Sequence, residues 1–355
     1  KIKKEQFTEQ HKEEDCMQQS YAELKSQYFV TNNNFETKSN IQITENQQIE
    51  HLPNPQKAQY TQFVSSNQNK NIIETLQKLG DFNYKDNRFF SQQLTNYDLN
   101  LPFLGPFIFQ GGQIYIGQWN NGNRHGQGRQ YWKEGSIYEG YWENGKIKNI
   151  YQKKKKKDQA HGFGRLIYQS GDAYIGQWKN DQCEGFGIYY FFNGGKYEGQ
   201  WIGDKYNGKG IEHWPDGSFY EGDFINQNKQ GKGVFKWNDQ SIYQGEFYNN
   251  FMHGQGKYNW PDGKCYEGQW ENNKMQGKGV FIWNDGNRYE GEYYDDLKNG
   301  FGVFYYSNGM QFIGNWKNGK QHGEGVIVDK NKKEQKTKWD NGVLIQWFIY
   351  FIIYF

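Results

Sequence analysis

From Ile114 to about Trp316, apolar and polar residues alternate in short runs separated by polar clusters, and the whole pattern returns every 23 residues. In Tyr266-Glu267-Gly268-Gln269-Trp270 the period of two places Tyr266, Gly268 and Trp270 on one face of a strand, with Glu267 and Gln269 on the other. A polar turn over Glu271–Gly277 and a second strand ending at Trp283 follow, and Asp285-Gly286 closes the unit with residues that favour tight hairpin turns. The central glycine is expected to leave a gap in which a neighbour's ring lies flat. Each repeat is therefore predicted to be one β-hairpin, and no helical pattern intervenes between repeats.

Nine copies of aromatic-x-Gly-x-aromatic keep this step, apart from one interval of 36 residues. Their aromatic pairs begin at Tyr115, Tyr138, Tyr174, Tyr197, Tyr220, Tyr243, Tyr266, Tyr289 and Phe312. A Gly-x-Gly pair follows nine residues behind the central glycine, as at Gly126-Gly128 and Gly323-Gly325, except across the long interval, where it is Gly162-Gly164. A fixed period of this size marks a repeat array rather than an enclosed globular core.

Phased Tyr-Glu-Gly-x-Trp strands, polar turns, His-Gly-x-Gly and Asp-Gly make residues from about Phe107 to Trp339 resemble the MORN repeats. The resemblance implies an all-β fold, an elongated single-layer antiparallel meander, often with a groove lined by the aromatic positions. It also implies scaffolding roles at junctions, cortical cytoskeleton and cilia or flagella. Membrane association is implied only weakly, because lipid binding by the repeats is not uniform in the family. Some members carry a lipid-kinase or a protein-methylating domain beside the repeats.

The pattern divides the chain into three parts. Residues 1–100 form a polar region, partly disordered, with short helices expected over Glu13–Phe29 and around Ile72–Leu79, the latter capped by Gly80. Residues 101–342 hold the array, with Leu101–Phe109 covering the open edge of its first hairpin. Residues 343–355 are an apolar tail, too short to span a bilayer, which takes about 20 residues. The tail could cover the last edge strand, dock in an interface, or be read-through of non-coding sequence.

The long interval reflects an insertion at about 147–159, placed in a hairpin turn where added length costs little entropy. It contains Lys153, Lys154, Lys155, Lys156 and Lys157. These lysines could engage anionic phospholipid headgroups, form a solvated loop, or stem from an unremoved intron.

Composition sharpens this picture. Only 35% of the 355 residues are hydrophobic, while 19% are aromatic and 44 are glycine, so stacked rings rather than aliphatic side chains must build the core. The net charge is +2, and outside the lysine run the array is close to neutral, which argues against nucleic acid as a partner. Three scattered cysteines form no framework and favour a reducing compartment. The first residue is Lys1 rather than Met, so the natural start is expected upstream; no signal-peptide pattern opens the chain.

Candidate chemistry is thin. His125, His161, His253 and His322 share one phase of the repeat with Glu184, Asn207, Gln230, Gln276 and Asn299, which reads as a polar turn position rather than a metal site. The Gly-x-Gly pairs enter strands, not helices, so they lack the form of a phosphate loop. No kinase signature occurs, and no cofactor or metal is expected. The reading is a non-catalytic scaffold that binds a protein partner, in the cytoplasm and at a cytoskeletal, ciliary or cortical site or the inner membrane surface. The alternative is a peripheral membrane adaptor using the lysine run and the tail, and a lipid-kinase relative is a third. Candidate partner-binding aromatics are Tyr115, Trp119, Tyr138, Trp142, Tyr174, Trp178, Tyr197, Trp201, Tyr220, Tyr243, Tyr266, Trp270, Tyr289 and Trp316, most of them expected to stack within the array. Oligomeric state is left open by the sequence.

Overall fold

The computed structural model describes residues 69–86, 101–109, 111–120, 122–143 and 159–347. They contain one helix, α1 (Lys70–Leu79), and 21 strands, β1 (Phe103–Ile108) to β21 (Val343–Trp347), in an open antiparallel meander. The expected all-β architecture is therefore what the chain adopts. Two compact units divide it at Cys183/Glu184, the second beginning within β7 (Gln182–Tyr190).

One repeat of the second unit shows how the sequence builds the sheet. β14 (Cys265–Glu271) and β15 (Lys274–Ile282) are joined by Asn272-Asn273, with φ of 50° and 67°. Positive φ at both central residues is the turn whose twist matches a hairpin, and asparagine tolerates it. The expected seven-residue polar turn is thus only two residues long, because the strand resumes at Lys274. A bulge between Gly268 and Trp270 absorbs the mismatch in register. The outer turn, from Trp283 to Asn287, is held by the Asp285 carboxylate, which accepts the Asn287 N–H at 2.9 Å.

The glycine beat has a steric cause. Gly268 pairs with Gly279, and the ring of Tyr266, from the same strand, lies across both. A Cβ on Gly279 would meet the Tyr266 hydroxyl at 2.3 Å, and one on Gly268 would meet the Gly279 Cα at 2.5 Å. The gap beside the central glycine is therefore filled by its own strand's first aromatic, Tyr266 here and Phe312 at Gly314, not by a neighbour's ring. Tyr266 then donates its hydroxyl to the Gln269 carbonyl at 3.0 Å, which satisfies its polar end.

In the first unit, β1 pairs with β2 (Ile114–Asn120), so the segment before the array covers its first edge as expected. β4 (Ile137–Glu143) pairs with β5 (Gln159–Ile167) in the usual register, with Trp142 opposite Ala160. The insertion thus sits where other hairpins hold two turn residues, and Gln159 belongs to β5. Lys153 to Lys157, Phe348–Phe355 and the helix expected over Glu13–Phe29 lie outside the described residues.

Helix α1 matches the one read around Ile72–Leu79. Asn69 caps it by accepting the Asn71 N–H at 2.9 Å, and Gly80 ends it at φ 68°. Its apolar side packs Ile72, Leu76 and Leu79 against Ile137, Ile167 and Ala173. Beyond the helix, Phe82 meets Phe163 at 5.1 Å and Tyr84 meets Tyr141 at 5.8 Å. Under this cover lies a buried ion cluster. Arg165 Nε donates to Glu139 at 2.8 Å, Arg165 Nη1 donates to the Gly80 carbonyl at 2.8 Å, and Arg129 pairs with the same carboxylate.

Candidate partner-binding surface

The faces of each strand decide what a partner could touch. Of the fourteen aromatics that the sequence singles out, all but Trp119 are buried, and the tyrosines among them are at 0–1% exposure. Tyr266 meets Trp270 at 5.1 Å and Tyr293 of the next repeat at 5.1 Å, both edge to face. The Trp178, Trp201 and Trp270 indoles each donate to a glycine carbonyl of the preceding strand at 3.1 Å. Burial pushes the hydroxyls of Tyr197, Tyr220, Tyr243, Tyr266 and Tyr289 above the usual phenol range, so none is poised for proton transfer near neutral pH. These rings hold the sheet together and offer a partner little surface.

A continuous, partly exposed aromatic row comes from the other strand of each hairpin, while the more exposed Tyr248 and Tyr294 end tyrosine strands singly, on their opposite face. In the second unit Trp214, Phe235, Trp237, Tyr258, Trp260, Phe281, Trp283, Phe304 and Tyr306 form a continuous ladder. Successive ring centroids lie between 4.4 and 5.4 Å apart. All nine rings are partly exposed. They stand on the same face as the buried tyrosines, since Phe281 lies opposite both Tyr266 and Tyr289 in register. Their signal was in the sequence, because Phe235/Tyr258/Phe281/Phe304 and Trp237/Trp260/Trp283 also recur every 23 residues.

Beside the ladder, one position per repeat plugs the space between rings. Met252 and Met275 occupy it in two repeats, and Lys229 and Lys298 in two others. Lys298 Nζ lies 4.5 Å from the centroid of Trp316, 4.9 Å from Phe304, 5.3 Å from Trp283 and 5.5 Å from Tyr289. Among the described residues no carboxylate pairs with it, and burial pushes its amine down to about 8. Lys229 sits 4.7 Å from the Trp214 ring centroid, but Glu212 neutralises it at 3.1 Å.

The histidine phase is a turn device. Gln230 and Gln276 each accept, at 3.0 Å, the N–H that opens the following two-residue turn, and Glu184 does the same at 3.2 Å. His322 occupies this place before Asn341 at 3.5 Å. At these four positions any acceptor of suitable reach serves, whereas the buried Nδ1 of His253, in the same phase, has no hydrogen-bond partner among the described residues. Among the described residues no group of His, Cys, Asp or Glu could hold a metal ion, and no helix is long and apolar enough to cross a membrane.

Three comparisons bear on this arrangement. Among solved structures the chain is similar to the wild-type TCP10 domain of Danio rerio CPAP, at 12% identity and a TM-score of 0.33, over 61% of this chain and 95% of that one. The same domain in complex with a peptide of Danio rerio STIL gives 12% identity and a TM-score of 0.32, over 66% and 98%. A virginiamycin B lyase from Staphylococcus aureus gives 10% identity and a TM-score of 0.15, over 66% and 83%. Likenesses this distant carry no argument about function. No curated protein matches the chain. The MORN repeat family model matches residues 115–137, 138–148, 155–173, 174–196, 197–219, 220–242, 243–265, 266–288, 289–311 and 312–332. The matches to 138–148 and 155–173 are the two parts of the interrupted repeat. With the hairpin, its glycine bed and its aromatic clasp recurring through the matched residues, the chain belongs to the MORN-repeat family.

Proposed function

We propose that this protein is a non-catalytic scaffold that holds a protein partner on the aromatic ladder of its second unit. The ladder itself carries the reading. Nine neighbouring rings left partly exposed on one sheet face are more apolar surface than a self-sufficient sheet needs to show, and such patches mark interaction sites. Tyrosine and tryptophan also dominate the energy of protein interfaces. A cytoskeletal, ciliary or cortical location follows from the family resemblance and belongs to the same proposal.

The test is affinity capture with the full chain and with a Trp237→Ala/Trp260→Ala/Trp283→Ala variant whose circular dichroism matches wild type. Partners lost by the variant support the ladder, and identical partners from both proteins overturn it. The five lysines between β4 and β5 favour a second reading, contact with anionic phospholipid. Co-sedimentation with phosphatidylserine vesicles that does not change when Lys153–Lys157 become glutamine would sink it.

A further inference from the structure

The ladder has a repeat distance, and that distance selects a ligand conformation. Equivalent rings are two strands apart, about 9.6 Å at ordinary strand spacing. A polyproline II helix turns once every three residues and advances about 9.3 Å per turn. Across the three intervals from β11 (Asn228–Lys236) to β17 (Leu297–Tyr305) such a helix drifts by about 1 Å from the ladder. An α-helix offers its nearest match at seven residues, about 10.5 Å, and drifts by about 3 Å over the same span. A β-strand repeats a face every two residues, about 6.6 Å, so it comes into step only with every second ring, at three of its periods.

The rim of the ladder adds a charge preference. Each tryptophan at the strand end is followed two residues later by an exposed aspartate: Asp216 after Trp214, Asp239 after Trp237, Asp262 after Trp260 and Asp285 after Trp283. Lys264 neutralises Asp262 at 2.8 Å, while Asp239 and Asp285 have no ion pair among the described residues. An aromatic step and a carboxylate therefore recur once per repeat, side by side.

Resting on the ladder as the partner surface, we propose that its occupant is a basic, proline-rich segment of another protein. It binds as a polyproline II helix across the strands, one turn per repeat. Prolines pack on the rings, and every third residue, an arginine or lysine, reaches the aspartate rim. Arginine suits the place best, because its planar group also stacks on tryptophan.

Fluorescence anisotropy at physiological salt tests this with the full chain and labelled peptides (Pro-Pro-Arg)4, (Gly-Gly-Arg)4 and (Pro-Pro-Glu)4. The first is expected to bind at least about tenfold more tightly than either of the others. Trp237→Ala/Trp260→Ala/Trp283→Ala should weaken it about tenfold or more, and Asp239→Asn/Asp285→Asn several-fold. Equal binding of (Gly-Gly-Arg)4 would reduce the effect to charge and overturn the proposal. So would absence of (Pro-Pro-Arg)4 binding up to about 1 mM, or indifference to the aspartate variant. If the tryptophan variant does not fold, the peptide series and the aspartate variant decide. Partners that need the ladder in the capture experiment, combined with failure of the peptides, would overturn this inference and leave the scaffold reading standing.

Discussion

The face of the sheet opposite the tyrosines is handled in two different ways in the two units. In the first, β4 is buried on both sides, with Glu139 and Tyr141 as inaccessible as Tyr138 and Trp142. In the second, β14 buries only Tyr266, Gly268 and Trp270 and leaves Glu267 and Gln269 exposed. The strands are near copies in sequence, so local pattern does not make the difference. What differs is the neighbouring register. Phe163, Arg165 and Ile167 in the first unit give way to Lys278, Val280 and Ile282 in a later repeat, and α1 with Phe82 and Tyr84 covers only the former. The same repeat can thus be a two-sided core or a one-sided sheet, depending on whether another segment brings apolar surface and partners for its polar groups.

The largest test of that contrast is the glutamate after the tyrosine. Glu139→Ala leaves Arg165 buried without its carboxylate and should cost about 3–5 kcal/mol, whereas Glu267→Ala, on an exposed face, should cost no more than about 0.5 kcal/mol. Hydrogen exchange read separately on β4 and β14 checks this, because repeats report local stability. Comparable losses at both sites would end the distinction.

Removing the cover itself comes next. Ile72→Ala empties a site 3% exposed and should cost about 2–4 kcal/mol of the docking of α1, seen as faster proteolysis at Lys78 with β14 unchanged. If α1 stays as protected as in wild type, packing against Ile167 and Ala173 is not what holds it.

Acid should reproduce part of the first result. Burial alone would raise the Glu139 pKa, but the charges of Arg129 and Arg165 and the hydrogen bonds they donate bring it below the ordinary carboxylate value. A depressed folded-state pKa means stability that is present above the unfolded value, near 4.5, and lost as pH falls through the folded one. Wild type is therefore expected to lose protection of β4 below about pH 4.5, and Glu139→Gln to lack that dependence. A parallel acid profile in the variant would point to other groups.

The smallest effect lies in the second unit, at Lys298. Its amine is held down to about 8, so the folded state binds the proton less readily than the unfolded chain does. This cost is present below pH 8 and fades as pH rises from there toward the unfolded lysine value. Lys298→Met, the residue found in the same place as Met252 and Met275, should stabilise the unit by about 1 kcal/mol at pH 7. The rise in stability between pH 8 and 9.5 should vanish with it. A destabilised variant would mean that the four ring faces more than offset the burial of the charge.

Much of this was legible in the chain. The 23-residue period, the pairing of Tyr-x-Gly-x-Trp with Gly-x-Gly, and the helix ending at Gly80 all follow from short-range rules of alternation, turn chemistry and capping. Even the tolerance of the histidine phase for glutamine and glutamate was readable as a turn position. The candidate surface was not, because periodicity says which residues share a face but not which of them lie underneath. Tyr266 and Phe281 share a face, yet Tyr266 lies flat on a bed of two glycines and disappears, while Phe281 stands beside it and stays at the surface.

The sequence by itself therefore determined the repeat, its strands and the chemical character of each face, since those depend on neighbours within a few residues. Only the tertiary structure decided which rings are core and which are surface. It also decided that a helix some 90 residues away in the chain completes the back of one unit, with Thr75 donating its hydroxyl to the Gly171 carbonyl at 2.6 Å. Those outcomes depend on how bulky groups from distant strands divide one volume, and no local alternation of polar and apolar residues encodes that division.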